Sequence, residues 1–243
     1  LVNKENFERS QESLQDKWKL YREFKENYNQ NDLLNRMSNC VFNMLKQDVK
    51  YVRTFVDADS IVKQKCIDAA IILKHLHSDK IKIDVAIQPL EGLEDAKSRK
   101  NFIEACKKAD YIGGLPDRDT SPEKHIDLLF ELAKSLDKPV DIHVGQNNSP
   151  YEKETELVLN KIEEHGLNQK VNLVHCISLS CQPDWYIRYY AHKMKELNVS
   201  VIVCPSAAIS MKQNRKIDAP IHNSIAPVSI LLEEGVDVAI IAC

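Results

Sequence analysis

The chain has 243 residues, 43% of them hydrophobic and 28% charged, and a formal net charge of −3. It is long enough to bury one sizeable core, and that charge balance argues against nucleic acid or an anionic membrane surface as a partner. No apolar run approaches the ~20 residues of a membrane span, and the seven cysteines (Cys40, Cys66, Cys106, Cys176, Cys181, Cys204 and Cys243) never form a CxxC pair, which argues against a zinc ribbon or disulfide framework and for a reducing cytoplasm.

In chain order, residues 1–27 are polar, with apolar positions at Phe7, Leu14, Trp18, Leu20, Tyr21 and Phe24, the spacing of an amphipathic helix. Asn31-Asp32 predicts the cap of a second helix running to Leu45. A repeated unit follows. Strands are expected at 51–56, 81–87, 111–115, 140–144, 171–174, 199–203 and 236–242, and helices at 60–76, 96–108, 122–136, 151–165, 183–197 and 225–234. Ser121-Pro122 is a helix start, with Ser at the cap and Pro in the first turn. Gly166 and Gly235 are helix stops. A loop of roughly twenty residues follows Val203.

Short apolar strands alternating with helices imply a parallel sheet with helices outside, both sheet faces being buried. The predicted class is α/β, a (β/α)8 TIM-type barrel forming one incomplete domain over 1–243. Because the chain opens at Leu1 in a helical stretch and stops on an apolar strand, the barrel is expected to lack its first strand and its C-terminal end. No GxGxxG or Walker loop follows any strand, which removes the main support for a nucleotide-binding sheet.

In such a barrel the chemistry lies at the C-terminal strand ends, and those ends are polar: Asp57-Ala-Asp59, Gln88 to Glu91-Gly92, Asp117-Arg-Asp119, and Gln146-Asn-Asn148. Two histidines stand at the ends of neighbouring apolar strands, His143 in DIHVGQ and His175 in NLVHCIS. Neutral imidazole is the commonest metal ligand and a good general base. A single strand-end histidine more often bonds a loop carbonyl; two on one mouth, with carboxylates nearby, favour a metal or catalytic role. His75-Leu76-His77 spells HxH, yet it closes a helical stretch, where residues two apart point about 200° apart, so it is set aside. His125 and His192 read as helix-surface residues, His165 as a last-turn cation, and His222, in the long loop, as a substrate contact. The carboxylates of Glu152–Glu156 read as a solvated helix face.

Several segments together resemble one family. Tyr51–Asp59 is similar to the second barrel strand of the cytosine deaminase and N-isopropylammelide amidohydrolase branch of the amidohydrolases, and Ala86–Gly92 to its third-strand end. Asp141-Ile-His143 resembles its fifth strand, Leu173-Val-His175 its sixth, and Leu231–Cys243 the helix and strand leading to its metal-binding aspartate. The resemblance implies a metal-dependent hydrolase or deaminase, acting on C–N bonds of small cyclic amidine, amide or aminated ring substrates by attack of metal-bound hydroxide. One divalent metal, zinc or iron, is implied. By position, His143 is the strand-five ligand, His175 the strand-six histidine that orients the water or polarises the substrate, and Gln146 the counterpart of a proton-shuttling glutamate. Cys243 falls at or directly beside the aspartate. Leu90 stands where the family has a ring-reading glutamine, next to Glu91, and both are candidate substrate contacts.

The departures give a second expectation. No HxH strand is present, Gln146 cannot carry a proton as a carboxylate does, Leu90 puts cytosine itself in doubt, and Phe55 replaces a histidine common on the second strand. A catalytically degenerate barrel that binds a small molecule or a partner is therefore the alternative. The 243-residue chain alone is expected to be inactive, and open strand edges would favour a homo-oligomer.

Overall fold

The computed structural model describes residues 3–167, 170–208, 216, 218 and 225–241. It opens with α1 (Lys4–Glu12), α2 (Leu14–Lys25) and α3 (Gln30–Lys46). The single helix expected over 1–27 is broken at Ser13, which is extended (φ −158°, ψ 165°) and accepts a hydrogen bond from Asp16 N at 3.0 Å. A serine hydroxyl satisfies a free first-turn N–H better at a cap than inside a helix. For the same reason Asn29, two residues before the expected cap, starts α3 by accepting from Asp32 N at 3.0 Å.

The alternation then runs β1 (Tyr51–Asp57), α4 (Lys65–Leu76), β2 (Lys82–Gln88), α5 (Ala96–Lys108), β3 (Tyr111–Gly114), α6 (Pro122–Leu136), β4 (Val140–Val144), α7 (Glu154–His165), β5 (Val171–His175), α8 (Asp184–Glu196), β6 (Ser200–Val203), the one-turn α9 (Pro205–Ala208), α10 (Val228–Glu233) and β7 (Val238–Ile240). Gly166 ends α7 in the left-handed conformation (φ 64°), as expected of a glycine stop.

The strands form one parallel sheet in the order β1 to β7. This is an α/β fold built on a curled seven-stranded half-barrel. Among the described residues β1 pairs only with β2 and β7 only with β6, so the closed eight-stranded ring is not observed. Every residue of β4 is buried, as is the middle of β2, because helices cover one face and the curled interior the other. Arg53 from β1 reaches across the interior to fully buried Asp141 of β4 (3.0 and 3.1 Å) and to Tyr111 Oη (2.8 Å), while Asn172 donates to Asp141 at 2.6 Å. A buried carboxylate persists only when paired and hydrogen-bonded in this way.

His125 corrects the reading of a surface residue. It is 2% exposed. Its Nε2 accepts from Leu115 N (3.1 Å), so Nδ1 carries the proton towards Asp119 Oδ2 (2.6 Å). Asp119 also accepts from Leu93 N at 2.9 Å and from Glu94 N at 3.2 Å. One carboxylate thus ties the loop after β2 to the loop after β3, and helical periodicity could not show it because the partners are loop amides.

Candidate functional site

The β4–β5 register pairs His143 with Val174 and Val144 with His175. The two histidines therefore lie one step apart on adjacent strands, with ring centroids 5.2 Å apart. His143 Nδ1 lies 3.3 Å from Gly114 O. A carbonyl only accepts, so Nδ1 carries the hydrogen and Nε2 is the lone-pair nitrogen. Phe55 packs edge-on against the same ring, centroids 4.7 Å apart. His175 (φ 78°) and Cys176 (φ 51°) both adopt the left-handed conformation that non-glycine residues disfavour, and Cys176 N is held by Val144 O at 3.0 Å. Sparsely populated backbone of this kind gathers where a side chain must be aimed.

Both rings line a cavity of about 460 Å³ at the C-terminal strand ends. Burial, then the proximity of His175, pushes His143 down to about 3; burial, then Lys17, pushes His175 down to about 4. Both are neutral imidazoles at ordinary pH. The reading of residues 1–27 held no hint of what closes the cavity. It is α2, whose Trp18 clusters with Leu90 and Leu115 under the Arg118 guanidinium, 4.3 Å from the indole centroid. Lys25, 1% exposed, reaches Asp59 at 2.5 Å, Glu91 at 3.1 Å and Asp57 at 3.4 Å, and Arg22 bonds the other Glu91 oxygen. Asp57 and Gln88, joined at 2.9 Å, line the cavity beside Lys25.

Leu90 and Gln146 also face this cavity. Glu91, expected at the substrate, is instead engaged by Lys25 and Arg22. His222 and Cys243 lie outside the described residues. His75 and His77 close α4, at the end of the sheet opposite the mouth, in keeping with setting them aside.

The carboxylates at 152–156 are a correction. α7 begins only at Glu154, and Glu154 and the preceding Glu152 turn inward. Glu154 accepts from Gly145 N at 2.9 Å, and Glu152 accepts from Asn147 N at 3.0 Å and from its side-chain amide. Asp117 accepts from Gln146 Nε2 at 2.9 Å. Three acids thus surround the loop that follows His143. Burial, then Glu152, pushes Asp117 up to about 6; burial, then Asp117, pushes Glu154 up to about 8. The sequence signal for Asp117 is its place at a strand end; Glu154 has none, because an acid in a Glu-rich run reads as solvated.

A metal site needs several ligand atoms in one place. The neutral His143 ring, with Nδ1 on a backbone carbonyl, is oriented as metal-binding histidines are, and neutral His175 stands beside it. His143 fits as one member of a ligand set, and His175 beside it fits a water or substrate held there. Among the described residues the one compact group of three ligand atoms lies elsewhere, at Asp127, Glu164 and His165. There the Lys161 ammonium already meets Asp127 (2.9 Å) and Glu164 (3.0 Å), so it reads as an ion-pair network on the outer helices.

No family model matches the chain. It is 34% identical over 227 residues to an uncharacterized protein of Haemophilus influenzae (strain ATCC 51907 / DSM 11121 / KW20 / Rd), covering 91% of this chain and 82% of that one. It is 26% identical over 164 residues to the N-isopropylammelide isopropyl amidohydrolase of Pseudomonas sp. (strain ADP), covering 65% of this chain and 40% of the enzyme. Among solved structures, 5-methylcytosine deaminase from Klebsiella pneumoniae, liganded with 5-fluorocytosine, superposes with a TM-score of 0.85 at 21% identity, over 94% of this chain and 56% of that chain. The chain thus spans about half the length of each of these two enzymes.

Proposed function

We propose that this chain belongs to the cytosine deaminase and N-isopropylammelide amidohydrolase branch of the amidohydrolase superfamily, which it resembles, and carries the substrate-facing part of a metal-dependent hydrolase that cleaves a C–N bond of a small cyclic amidine, amide or aminated ring. The observation that carries the reading is the pair of neutral histidines 5.2 Å apart at the wall of a ligand-sized cavity. His143, with Nε2 as its lone-pair nitrogen, would hold a divalent metal, zinc or iron, with Cys243 as a second ligand in sequence. Such an ion supplies a water acidified to near neutrality as the nucleophile. His175, neutral at working pH, would orient that water or polarise the substrate through a ring nitrogen. Trp18, Leu90 and Leu115 form an apolar wall that fits a flat ring and excludes solvent. Gln146 binds substrate through its amide and moves no proton.

A second reading has its own support: Gln146 and Leu90 stand where a proton carrier and a ring-reading amide would serve turnover, as expected of a barrel that binds without catalysis. One experiment separates the two. The intact protein is assayed for bound zinc and iron, and for ammonia or amine release from 5-methylcytosine, 5-fluorocytosine and N-isopropylammelide. The hydrolase reading expects His143→Ala to lose the metal, and His175→Ala to keep most of it while turnover falls by about a hundredfold or more. Full metal and full rate in His143→Ala would sink the assignment; an intact wild type without metal favours the binding protein.

A further inference from the structure

Gln146 cannot act as the acid its position suggests, and its surroundings point to another task. It is 6% exposed and lines the cavity. Its Nε2 donates to Asp117 Oδ2 at 2.9 Å, and Asp117 does not line the cavity. Among the described residues no group donates to the Gln146 side-chain oxygen. An ionised carboxylate has no hydrogen to give, so the amide meets it with its NH2 end. The carbonyl end is then the one left for the cavity.

The backbone beneath is equally constrained. Gly145 (φ 56°) donates to Glu154, and its carbonyl accepts from Ser178 N at 3.0 Å. A Cβ on Gly145 would come within 2.3 Å of Ser178 Oγ. Asn147 on the other side is bound by Glu152. Gln146 is therefore held at its main chain and at one end of its side chain.

We propose, on the reading of the site given above, that Asp117 is a positioning residue: it fixes the Gln146 amide with its carbonyl oxygen towards the cavity, and thereby selects heterocycles that present a ring or exocyclic N–H donor there. A ring offering only an acceptor at that point would leave two acceptor lone pairs facing each other, unpaired and desolvated, which a closed site rejects strongly.

The arrangement responds to pH. Asp117 is pushed up to about 6 by burial and by Glu152; Arg118 beside it and the bond from Gln146 act in the opposite direction, and Glu154 from α7 is the third acid of the group. Above about pH 6 Asp117 is ionised and only one amide orientation is satisfied. Below it the protonated acid can donate, and the amide is free to turn.

The test uses the intact protein, with bound metal measured first, as wild type, Asp117→Asn and Asp117→Glu. The side-chain amide resonance of Gln146, identified by its loss in Gln146→Glu, is followed from pH 5 to 8. It should titrate near pH 6 in the wild type and stay flat in Asp117→Asn. With whichever ring is turned over, Asp117→Asn should raise KM about tenfold while kcat stays within about threefold, and should reduce the preference for the parent ring over its N-methylated analogue. Asp117→Glu should restore part of both. An amide resonance that ignores pH and substitution, or an unchanged KM and preference, overturns the proposal. If the wild type turns over no ring, the hydrolase reading fails, and the amide titration still decides whether Asp117 fixes Gln146.

Discussion

Glu154 sits where ionisation works against the fold. Its carboxyl is half-buried and shares its surroundings with Asp117 and Glu152, and its pKa rises from 4.5 to about 8. Between those values the folded chain holds a proton that the unfolded chain has released. The Glu154 contribution to stability therefore falls as pH rises from about 4.5 to 8 and is flat below 4.5, where both states are protonated. Glu154→Gln keeps an oxygen for Gly145 N and removes the titration. Its melting temperature should decline less than that of the wild type between pH 5 and 8; parallel curves would assign the slope to another group. His143 and His175 behave oppositely. With pKa values near 3 and 4 they stay neutral across this range, so activity loss between pH 5 and 7 should not be traced to them. At this scale the sequence marked both histidines by their strand ends. It could not mark Glu154, because an acid in a Glu-rich run looks solvated until its neighbours across the mouth are known.

α2 is the element that the sequence described least. Its apolar spacing announced a helix that buries one face, and it does, but the face is set against loops from distant strands. Lys25 holds it there through Asp57, Asp59 and Glu91. Lys25→Met preserves the volume of the stem and strands three acids around a buried position. Removing one partner from a buried charge cluster costs about 3–5 kcal/mol, so a drop of that size in unfolding free energy is expected from urea titration of the intact protein. A change under about 1 kcal/mol would mean that water reaches the acids and that α2 is held chiefly by Trp18. The break at Ser13 and the cap at Asn29 belong to the same scale. Ser and Asn were visible as cap residues, but which of several candidates starts a helix depends on where its first turn finds partners.

For the whole molecule, the sheet leaves β1 and β7 with one neighbour each among the described residues, and Ile240 on β7 is 68% exposed. Open parallel edges with apolar side chains recruit further strands. Residues 1–243 expressed alone should self-associate at micromolar concentration, and Ile240→Lys should shift light scattering towards the monomer; a wild-type chain that stays monomeric would show the edges to be covered.

The alternation of short apolar strands with amphipathic helices is written locally, in the spacing of side chains. The sequence by itself therefore determined the parallel α/β layout, the order of the elements and the strand-end location of His143 and His175. Local spacing says nothing about which groups meet across the sheet's mouth. Only the tertiary structure decided that α2 closes the cavity, that Glu91 pairs with Lys25 and Arg22, that His125 is buried on Asp119, and that three acids gather at the Gln146 loop. Those pairings join residues brought together by the curl of the sheet, and burial there sets their charge states, a property of the packed surroundings that no stretch of chain carries alone.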